Sequence, residues 1–188
     1  MSKIQILFGT SNLHKVAEAK AILEPYGFII KQYKVDLLEI QDSSLDKIAR
    51  ISIENLSDIM GPLFVEDTGL FIEALNGFPG PFASYVFKTI GNYGILQLMN
   101  NLENKKAYFE SYIAYKDESG SIHSFHGKCN GEISNKIKGS EWGYDPIFIP
   151  NDQNPDKLTF AEMTEEQKNH ISHRSLALES FKNFLTIR

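Results

Sequence analysis

The stretch that decides the fold is residues 63–70, Leu63-Phe64-Val65-Glu66-Asp67-Thr68-Gly69-Leu70. The apolar run from Leu63 to Val65 predicts a buried strand, and two adjacent carboxylates then lead into a Thr-Gly turn. Negative charge where a buried strand meets solvent is typical of a metal site or of a proton-transfer residue. A solvated strand end is the simpler alternative, so the rest of the chain has to decide between them.

The composition is that of an ordinary globular protein. The chain has 188 residues, of which 42% are hydrophobic and 23% are charged. This length fits one domain, or one two-lobed domain. Its hydrophobic core is large enough to be stable without disulfides or structural metal ions. The net charge of -5 argues against a broad grip on duplex nucleic acid. It leaves room for a small anionic ligand, because a local basic patch can operate inside an acidic protein.

Cysteine content and hydrophobic runs indicate the compartment. The single cysteine, Cys129, excludes an intrachain disulfide and a cysteine-built zinc site. The opening apolar run is too short for an export signal, and no run approaches the length of a membrane span. We therefore expect a soluble cytoplasmic protein.

Local patterns predict an α/β fold. The predicted elements are strand Ile4 to Phe8, helix His14 to Glu24, strand Phe28 to Val35, a helix capped by Ser44 from Leu45 to about Ile59, strand Leu63 to Val65, a helix near Tyr93 to Asn101, a hairpin of strands Ala107 to Lys116 and Ile122 to Gly127, a strand near Gly131 to Lys136, and a helical region from Thr164. Helices and strands alternate early and strands cluster late, which favours a mixed sheet with flanking helices. No repeat or linker divides the chain, so one folding unit is expected.

The first candidate site is the turn between the first strand and the first helix. A strand, a small polar turn and a helix start can hold an anion, because backbone N–H groups and the positive helix end face one point. Side-chain donors and a lysine reinforce the pattern, although the Gly-Lys-Ser/Thr sequence of a Walker loop is missing. An ordinary capped helix is the alternative. The candidate phosphate residues are Thr10, Ser11, Asn12, Leu13, His14 and Lys15.

The second candidate site is acidic. Glu66 and Asp67 could join Glu39, from the turn Leu38 to Asp42, to hold a hard divalent cation. Magnesium fits this donor set, since it accepts one or two carboxylates, keeps several waters and bridges to phosphates. The sequence has no HExxH motif, no Cys/His cluster and no EF-hand spacing, which disfavours zinc and structural calcium.

Two further segments could recognise a planar base. The loop around Trp142, Gly143, Tyr144 and Asp145 combines aromatic rings, a glycine and a carboxylate, which suits stacking and hydrogen bonding to a base edge. Downstream, a lysine with a His-Arg pair could clamp a ring carbonyl or phosphate oxygens; these are Lys168, His173 and Arg174. Core packing of the aromatics and solvation of the charges are the alternatives.

In this order the segments closely resemble the inosine triphosphate pyrophosphatase family, enzymes that hydrolyse non-canonical purine nucleoside triphosphates. The resemblance covers nearly the whole chain. The matching segments are residues 10–15, 65–70, 74–80, 142–148, 159–163 and 168–174.

The resemblance implies a fold and a reaction. The fold is a mixed α/β sheet, bent and flanked by helices, that forms two lobes of one domain, residues 1–188, around a central active-site cleft. The reaction is magnesium-dependent hydrolysis of ITP, dITP and XTP to the nucleoside monophosphate and pyrophosphate, by a homodimer that binds neither nucleic acid nor membranes. Asp67 would accept the proton of the attacking water, Glu39 and Asp67 would hold magnesium, and Glu66 would support the metal or its waters.

The resemblance also distributes the substrate contacts. Residues Thr10 to Lys15 would hold the triphosphate, and Thr68 would contact the substrate. Trp142 to Asp145, with Lys168, His173 and Arg174, would surround the base. One departure concerns the helix before the acidic strand, where many relatives carry a phosphate-binding lysine. Residues 50–55 have none, and Arg50 or Lys47 could take its place.

Two other functions remain open at this point. One is a pyrophosphatase of similar architecture that acts on modified pyrimidine or methylated nucleotides. The other is a catalytically silent nucleotide-binding module, against which the three acids Glu39, Glu66 and Asp67 argue.

Overall fold

Seven strands and six α-helices are found among residues 4–38, 40–140 and 142–187, which a computed structural model describes. The strands are β1 Ile4–Gly9, β2 Phe28–Tyr33, β3 Leu63–Ile72, β4 Pro79–Gly80, β5 Lys106–Lys116, β6 Ile122–Ile133 and β7 Phe148–Pro150. The helices are α1 Leu13–Leu23, α2 Leu45–Glu54, α3 Ala83–Thr89, α4 Gly91–Leu98, α5 Glu165–Ile171 and α6 His173–Ile187.

The strands form one mixed sheet, which confirms the predicted fold class. Its order is β2-β1-β3-β5-β6-β7, and β4 pairs with β3 outside this path. β1 runs parallel to both β2 and β3, whereas the β3–β4 and β6–β7 pairs are antiparallel. The bend of the sheet and the central cleft stay predictions.

The chain divides into two compact units. The first consists of the chain up to Asp67, residues Ser111–Gly127 and the chain from Arg174 onward. The second consists of Thr68–Glu110 and Lys128–His173. The boundary in β3 therefore falls between Asp67 and Thr68, within the stretch that decides the fold.

In the first unit, neighbouring residues of β3 pack on different helices. Phe64 stacks on Phe8, with ring centroids 4.1 Å apart, and lies in a core cluster with residues of α1 and α6. The next residue, Val65, packs with Ala49 and Ile53 of α2. Successive side chains of a strand point to opposite faces. Helices α1 and α6 therefore cover one face of this part of the sheet, and α2 covers the other.

The second unit has its own core, built largely from aromatic rings. The Phe109 ring lies edge-on to Phe148, with centroids 4.7 Å apart, and Phe148 lies 5.2 Å from Phe160. Helices α3, α4 and α5 contribute Val86, Ile95 and Ile171, among others, to the same cluster. Each unit thus has a separate hydrophobic core.

The predicted turn at Thr68-Gly69 is wrong, because β3 continues through both residues to Ile72. Gly69 serves a close approach of two strands and not a turn. A Cβ atom at Gly69 would lie 2.8 Å from the carbonyl oxygen of Gly80 in β4, closer than real Cβ contacts allow. The glycine is therefore needed for β4 to pair with β3.

Other boundaries differ as well. The predicted separate strand near Gly131 is the continuation of β6, which runs to Ile133. Helix α3 was not predicted, because it follows a Gly/Pro-rich loop and has no side-chain cap that would mark its first residue. The cap predicted at Ser44 is confirmed, since its side chain accepts the Lys47 N–H at the start of α2. Thr164, predicted as the start of a helical region, caps α5 by accepting the Gln167 N–H.

Helix α2 ends at Glu54, earlier than predicted, and a lysine from β5 satisfies the carbonyl groups that follow. The Lys116 Nζ donates to the carbonyl oxygens of Leu56, Ser57 and Ile59 at 2.9, 3.2 and 2.8 Å. Carbonyl groups at a helix end need such partners. Lys116 is buried, so these three bonds replace its hydration.

Among the residues that the model covers, no helix is long and apolar enough to cross a membrane.

We predict that Lys116→Met destabilises the protein by about 3 kcal/mol, because three carbonyl groups lose a charged donor. Chemical denaturation measures the free energy of unfolding. Lys20→Met, an exposed site on α1, is the matched control and should change it by less than about 0.5 kcal/mol. Equal effects of the two substitutions would contradict the assigned role of Lys116.

Candidate active site

The turn between β1 and α1 is held by side-chain hydrogen bonds. The Asn12 side chain caps α1, its Oδ1 accepting the N–H groups of His14 and Lys15 at 2.9 and 3.4 Å. The Asn12 N–H in turn donates to Thr10 Oγ1 at 3.1 Å. The backbone N–H groups of His14 and Lys15, which were predicted to bind an anion, are therefore bound by the Asn12 side chain. The turn is fixed before any ligand arrives.

Lys15 points from α1 towards the middle of β3. Its Nζ lies 2.6 Å from Glu66 Oε2 and donates to the backbone carbonyl oxygen of Glu66 at 3.0 Å. A lysine ammonium group has three N–H donors, and these contacts use two of them. The turn at residues 10–15 and the acidic stretch at residues 63–70, predicted as separate sites, are therefore joined by one ion pair.

Glu66 is not at a solvated strand end, which was the simpler alternative for this stretch; its side chain is only 1% exposed. A second cation and a hydroxyl group also reach it. Arg174 Nε donates to Glu66 Oε1 at 3.1 Å, and Ser111 Oγ donates to the same oxygen at 2.5 Å. Arg174 Nη1 also donates to Glu18 Oε2 at 2.5 Å. Two carboxylates and two cations thus balance their charges in a buried cluster.

The cluster keeps Glu66 ionised. Burial acts to raise the pKa of this carboxyl, but the charges of Arg174 and Lys15, with the hydrogen bonds, outweigh burial and hold the pKa far below its ordinary value of 4.5. Arg174, which the sequence placed at the base, is committed here to Glu18 and Glu66 of its own unit. Its predicted base contact stays a prediction.

Sequence reasoning missed Glu18 and Ser111. Glu18 is three residues after Lys15 on α1, a spacing that places both on one helix face. Ser111 is a fully buried polar residue at an inward position of β5, in a run of apolar and aromatic residues. A polar residue in such a position signals a buried partner, and this was the signal available in the sequence.

Asp67 differs from Glu66 in position. It is half-buried, and the alternation of β3 places it on the face of Val65, which α2 covers. Leu37 packs in the same cluster, and the Leu38 carbonyl oxygen accepts the hydroxyl of Ser52 in α2 at 3.1 Å. Glu39, the next residue and a predicted magnesium ligand, lies outside the described residues.

The ligands of a metal site are sought among the acidic, histidine and cysteine side chains of the described residues, because these are the donors that hold ions in proteins. Within them no group of three or more His, Cys, Asp or Glu side chains could hold an ion. Asp67 supplies a half-buried carboxylate that suits magnesium, which needs only one or two from the protein. Glu66 is already held by two cations and a hydroxyl group. Among the described acidic residues of this stretch, Asp67 is therefore the better magnesium ligand. The predicted roles of Glu39 and Glu66 stay predictions.

In the second unit, Lys168 and Asp145 form an ion pair. The Lys168 Nζ on α5 donates to Asp145 Oδ2 at 2.7 Å and lies 5.9 Å from the centroid of the Phe160 ring. Both side chains are largely buried. The sequence predicted that both serve one site, and the structure brings these two residues together.

The loop before Asp145 serves partly as core. The buried hydroxyl of Tyr144 donates to the Ala83 carbonyl oxygen at 3.0 Å, and burial raises the pKa of the phenol. Gly143 has a positive φ of 66°, and its carbonyl oxygen accepts the Asn92 Nδ2 at 2.9 Å. Trp142 is half-buried. Tyr144 therefore packs in the core, and stacking on a base stays a prediction for Trp142.

His173 is also buried, stacked on Phe109 with ring centroids 4.4 Å apart and an interplanar angle of 12°. Its predicted base contact, and the substrate contact predicted for the half-buried Thr68, stay predictions. Arg50 and Lys47, the substitutes for the missing lysine, pair with Asp46 at 3.1 Å and Asp42 at 2.5 Å respectively.

Comparison with known proteins identifies the family of this chain. The model of the Ham1 family matches residues 6–184. The chain belongs to the Ham1 family. Its sequence is 47% identical over 184 residues to a protein of Thermococcus kodakarensis named dITP/XTP pyrophosphatase, covering 97% of each chain. A protein of Methanopyrus kandleri with the same name is 47% identical over 180 residues, which are 95% of this chain and 94% of the relative.

Solved structures of Ham1 proteins share the fold. The Ham1 protein of Coxiella burnetii superposes with a TM-score of 0.83 at 29% identity, covering 98% of this chain and all of that chain. The Ham1 protein of Staphylococcus aureus gives a TM-score of 0.81 at 25% identity over 97% of this chain and 98% of that chain. The family resemblance read from the sequence is therefore confirmed.

We predict that Glu66→Gln destabilises the protein by about 3 kcal/mol at pH 7, because Lys15 and Arg174 lose their buried counter-charge. Since the pKa of Glu66 is lowered by folding, its stabilisation is complete above the ordinary value of 4.5 and is lost as the pH falls below it. The difference between Glu66→Gln and wild type should therefore shrink from pH 5 to about pH 3.

Denaturant unfolding at several pH values measures this difference. Glu54→Gln, an exposed acid on α2, is the control and should stay within about 0.5 kcal/mol of wild type throughout. A Glu66→Gln difference that is constant with pH would contradict the lowered pKa.

Proposed function

We propose that this protein hydrolyses the non-canonical purine nucleotides ITP, dITP and XTP to the nucleoside monophosphate and pyrophosphate. The observation that carries the proposal is the 47% identity, over 97% of both chains, to a protein named dITP/XTP pyrophosphatase. The buried charge cluster at Glu66 and the half-buried Asp67 beside it supply the chemistry that such a reaction needs.

Asp67 is the proton acceptor in this proposal. A water attacks the α-phosphorus, Asp67 takes the proton of that water, and the bond from the α-phosphorus to the oxygen bridging the β-phosphorus breaks. Asp67 suits this task because it is half-buried and follows a carboxylate whose charge is already compensated by Lys15 and Arg174.

Lys15 is the phosphate ligand. Its third N–H donor can reach a phosphate oxygen while the other two hold Glu66. The Lys15 side chain as a whole is 17% exposed. Thr10 and Ser11, in the turn fixed by Asn12, add hydroxyl donors beside it. Arg50 or Lys47 remains the proposed substitute for the lysine that many relatives carry.

Magnesium is the proposed cofactor, with Asp67 and Glu39 as its ligands. The role in supporting its waters predicted for Glu66 is not carried into the proposal, because Lys15, Arg174 and Ser111 already hold that carboxylate. When bound, it supplies Lewis-acid charge that favours departure of pyrophosphate. Asp67 orients the water and accepts its proton. The charge cluster around Glu66 holds β3, and with it Asp67, in place. Removing divalent cations with a chelator should abolish turnover, and adding magnesium should restore it.

Base selection is assigned to the second unit. Lys168, oriented by Asp145, donates to the 6-oxo group of hypoxanthine or xanthine. Adenine carries an amino group at that position, so the same site would leave two donors facing each other without an acceptor. Trp142 would stack on the base, and His173, packed on Phe109, would line its edge.

The proposal also includes the location of the enzyme, its oligomeric state and its biological role. The enzyme acts on free nucleotides in the cytoplasm as a homodimer and does not bind nucleic acid or membranes. Removal of deaminated purines from the nucleotide pool would be its role.

A magnesium-dependent product panel over ITP, XTP, dITP, GTP, ATP and modified pyrimidine triphosphates tests the function. We expect monophosphate and pyrophosphate from ITP, XTP and dITP. Release of single orthophosphate, or equal use of ATP, would refute the proposal. Preference for the pyrimidine set would favour the pyrophosphatases of modified pyrimidines, and binding without turnover would favour a silent module.

We predict that Asp67→Asn lowers kcat for ITP by about 100-fold or more, because the proton acceptor is lost. The fold should survive, since Asp67 is half-buried and lies outside the cluster. Steady-state kinetics measures kcat, and circular dichroism checks the fold. Asp58→Asn, an exposed acid in the same unit, serves as control. A folded Asp67→Asn protein with wild-type kcat would exclude the assigned role.

We predict that Lys168→Met lowers kcat/KM for ITP by about 10- to 100-fold while changing that for ATP far less, because only the 6-oxo group accepts a hydrogen bond from the Lys168 ammonium group. The ratio of kcat/KM for the two nucleotides is the measurement. Lys136→Met, exposed in the same unit, is the control. An equal loss for both nucleotides would assign Lys168 to phosphate or to stability instead.

A further inference from the structure

The loop of residues 142–145 is fixed at its buried tyrosine by helix α3 of the same unit. The Tyr144 hydroxyl donates to the Ala83 carbonyl oxygen at 3.0 Å. The Tyr144 ring also lies edge-on to the ring of Phe87, with centroids 5.4 Å apart and an interplanar angle of 79°. The part of the loop that follows Tyr144 is therefore fixed independently of the part that precedes it.

The preceding residue, Gly143, is held by an asparagine of α4. Asn92 Nδ2 donates to the Gly143 carbonyl oxygen at 2.9 Å, across 51 residues of sequence. Gly143 has a φ of 66°, in the left-handed region, and among the described residues a Cβ atom there would have no neighbour within 4 Å beyond the adjacent residues. A glycine adopts many backbone conformations with similar ease. The bond from Asn92 therefore selects one of them.

Asn92 uses only half of its hydrogen-bonding capacity. A carbonyl oxygen can only accept, so the amide nitrogen of Asn92 must face Gly143 and the amide oxygen must point elsewhere. Within the described part of the chain, Asn92 Oδ1 is buried and accepts no hydrogen bond. A buried acceptor without a partner costs free energy, which offsets the contribution of the Nδ2 bond. Asn92 therefore adds little net stability, and its effect is on the conformation of the loop.

We propose that Asn92 is a positioning residue for base binding: by holding Gly143 it sets the place of the adjacent Trp142 ring. The inference rests on the proposed function, in which Trp142 stacks on the base. Stacking accepts any planar base, because every base has a π-face. Asn92 therefore strengthens the binding of ITP and ATP alike, and selectivity for the 6-oxo group remains with Lys168.

Tryptophan fluorescence of the nucleotide-free protein tests the positioning directly. Trp142 is the one tryptophan of the chain, so its emission reports on this loop alone. Asn92→Asp keeps the shape of the side chain but turns an oxygen towards the Gly143 carbonyl in place of a donor. We expect stronger quenching by acrylamide and emission at longer wavelength, because the released loop exposes the ring. Asn100→Asp, at an exposed asparagine after α4, adds the same charge and should leave the emission unchanged.

Steady-state kinetics tests the consequence for the substrate. Asn92→Asp should raise KM for ITP by about 5- to 20-fold at unchanged kcat, because weaker stacking affects the ground state and the transition state equally. The ratio of kcat/KM for ITP and ATP should stay at its wild-type value. Gly143→Ala strains the left-handed backbone and should reproduce the rise in KM, whereas Gly143→Asn, which tolerates that conformation better, should reverse part of it.

A second variant separates positioning from stability. Asn92→Ala removes the donor and the unpaired acceptor together, so its midpoint of urea unfolding should match wild type while its fluorescence and KM change as in Asn92→Asp. A lowered midpoint with unchanged fluorescence would overturn the inference in favour of a structural role.

The remaining outcomes distinguish this inference from the proposed function. Wild-type fluorescence and KM in both Asn92 variants overturn the inference, and so does a fall in kcat at wild-type KM. A wild-type protein that does not hydrolyse ITP overturns the proposed function instead. The two failures are recognised separately, because the fluorescence of the nucleotide-free protein is measured without turnover.

Discussion

A carboxylate with almost no access to water lies in the middle of the strand that decides the fold, and the first unit is arranged around it. Burying the Glu66 carboxylate in such a position costs a large free energy unless its charge is compensated. Lys15 comes from α1, Arg174 from the start of α6, and Ser111 from β5. Three elements distant in sequence are thus required at one point. Removing any of the charges leaves an opposite charge buried.

Because successive side chains of a strand point to opposite faces, the adjacent acids Glu66 and Asp67 have different surroundings and different roles. Glu66 faces α1 and α6, where it is neutralised, and Asp67 faces the side covered by α2, where it is half-buried. A one-residue shift of β3 would exchange them and place an uncompensated carboxylate in the cluster. The chemistry proposed for Asp67 therefore depends on the register of β3 with β1, in which Phe8 lies beside Phe64.

Local signals in the sequence were sufficient for most elements, for the cap at Ser44, and for the mixed sheet. They failed where a tertiary contact overrides a local preference. Gly69 resembles a turn residue, yet its missing Cβ lets β4 approach. Arg174 resembles a surface charge beside His173, yet it pairs with Glu66, 108 residues away. No local pattern reports a partner at that separation. The position of Ser111 could indicate a buried polar partner, but not that Glu66, Lys15 and Arg174 form the cluster.

The bonds from Lys116 to the end of α2 have a consequence for the order of folding. They join parts of the chain that are 57–60 residues apart. Closing a loop of that length carries an entropy cost that local contacts in α2 do not offset. The three bonds can form only after β5 has brought Lys116 to the end of α2. Fraying of this helix end would break them, so they oppose local opening of the face that α2 presents towards Asp67.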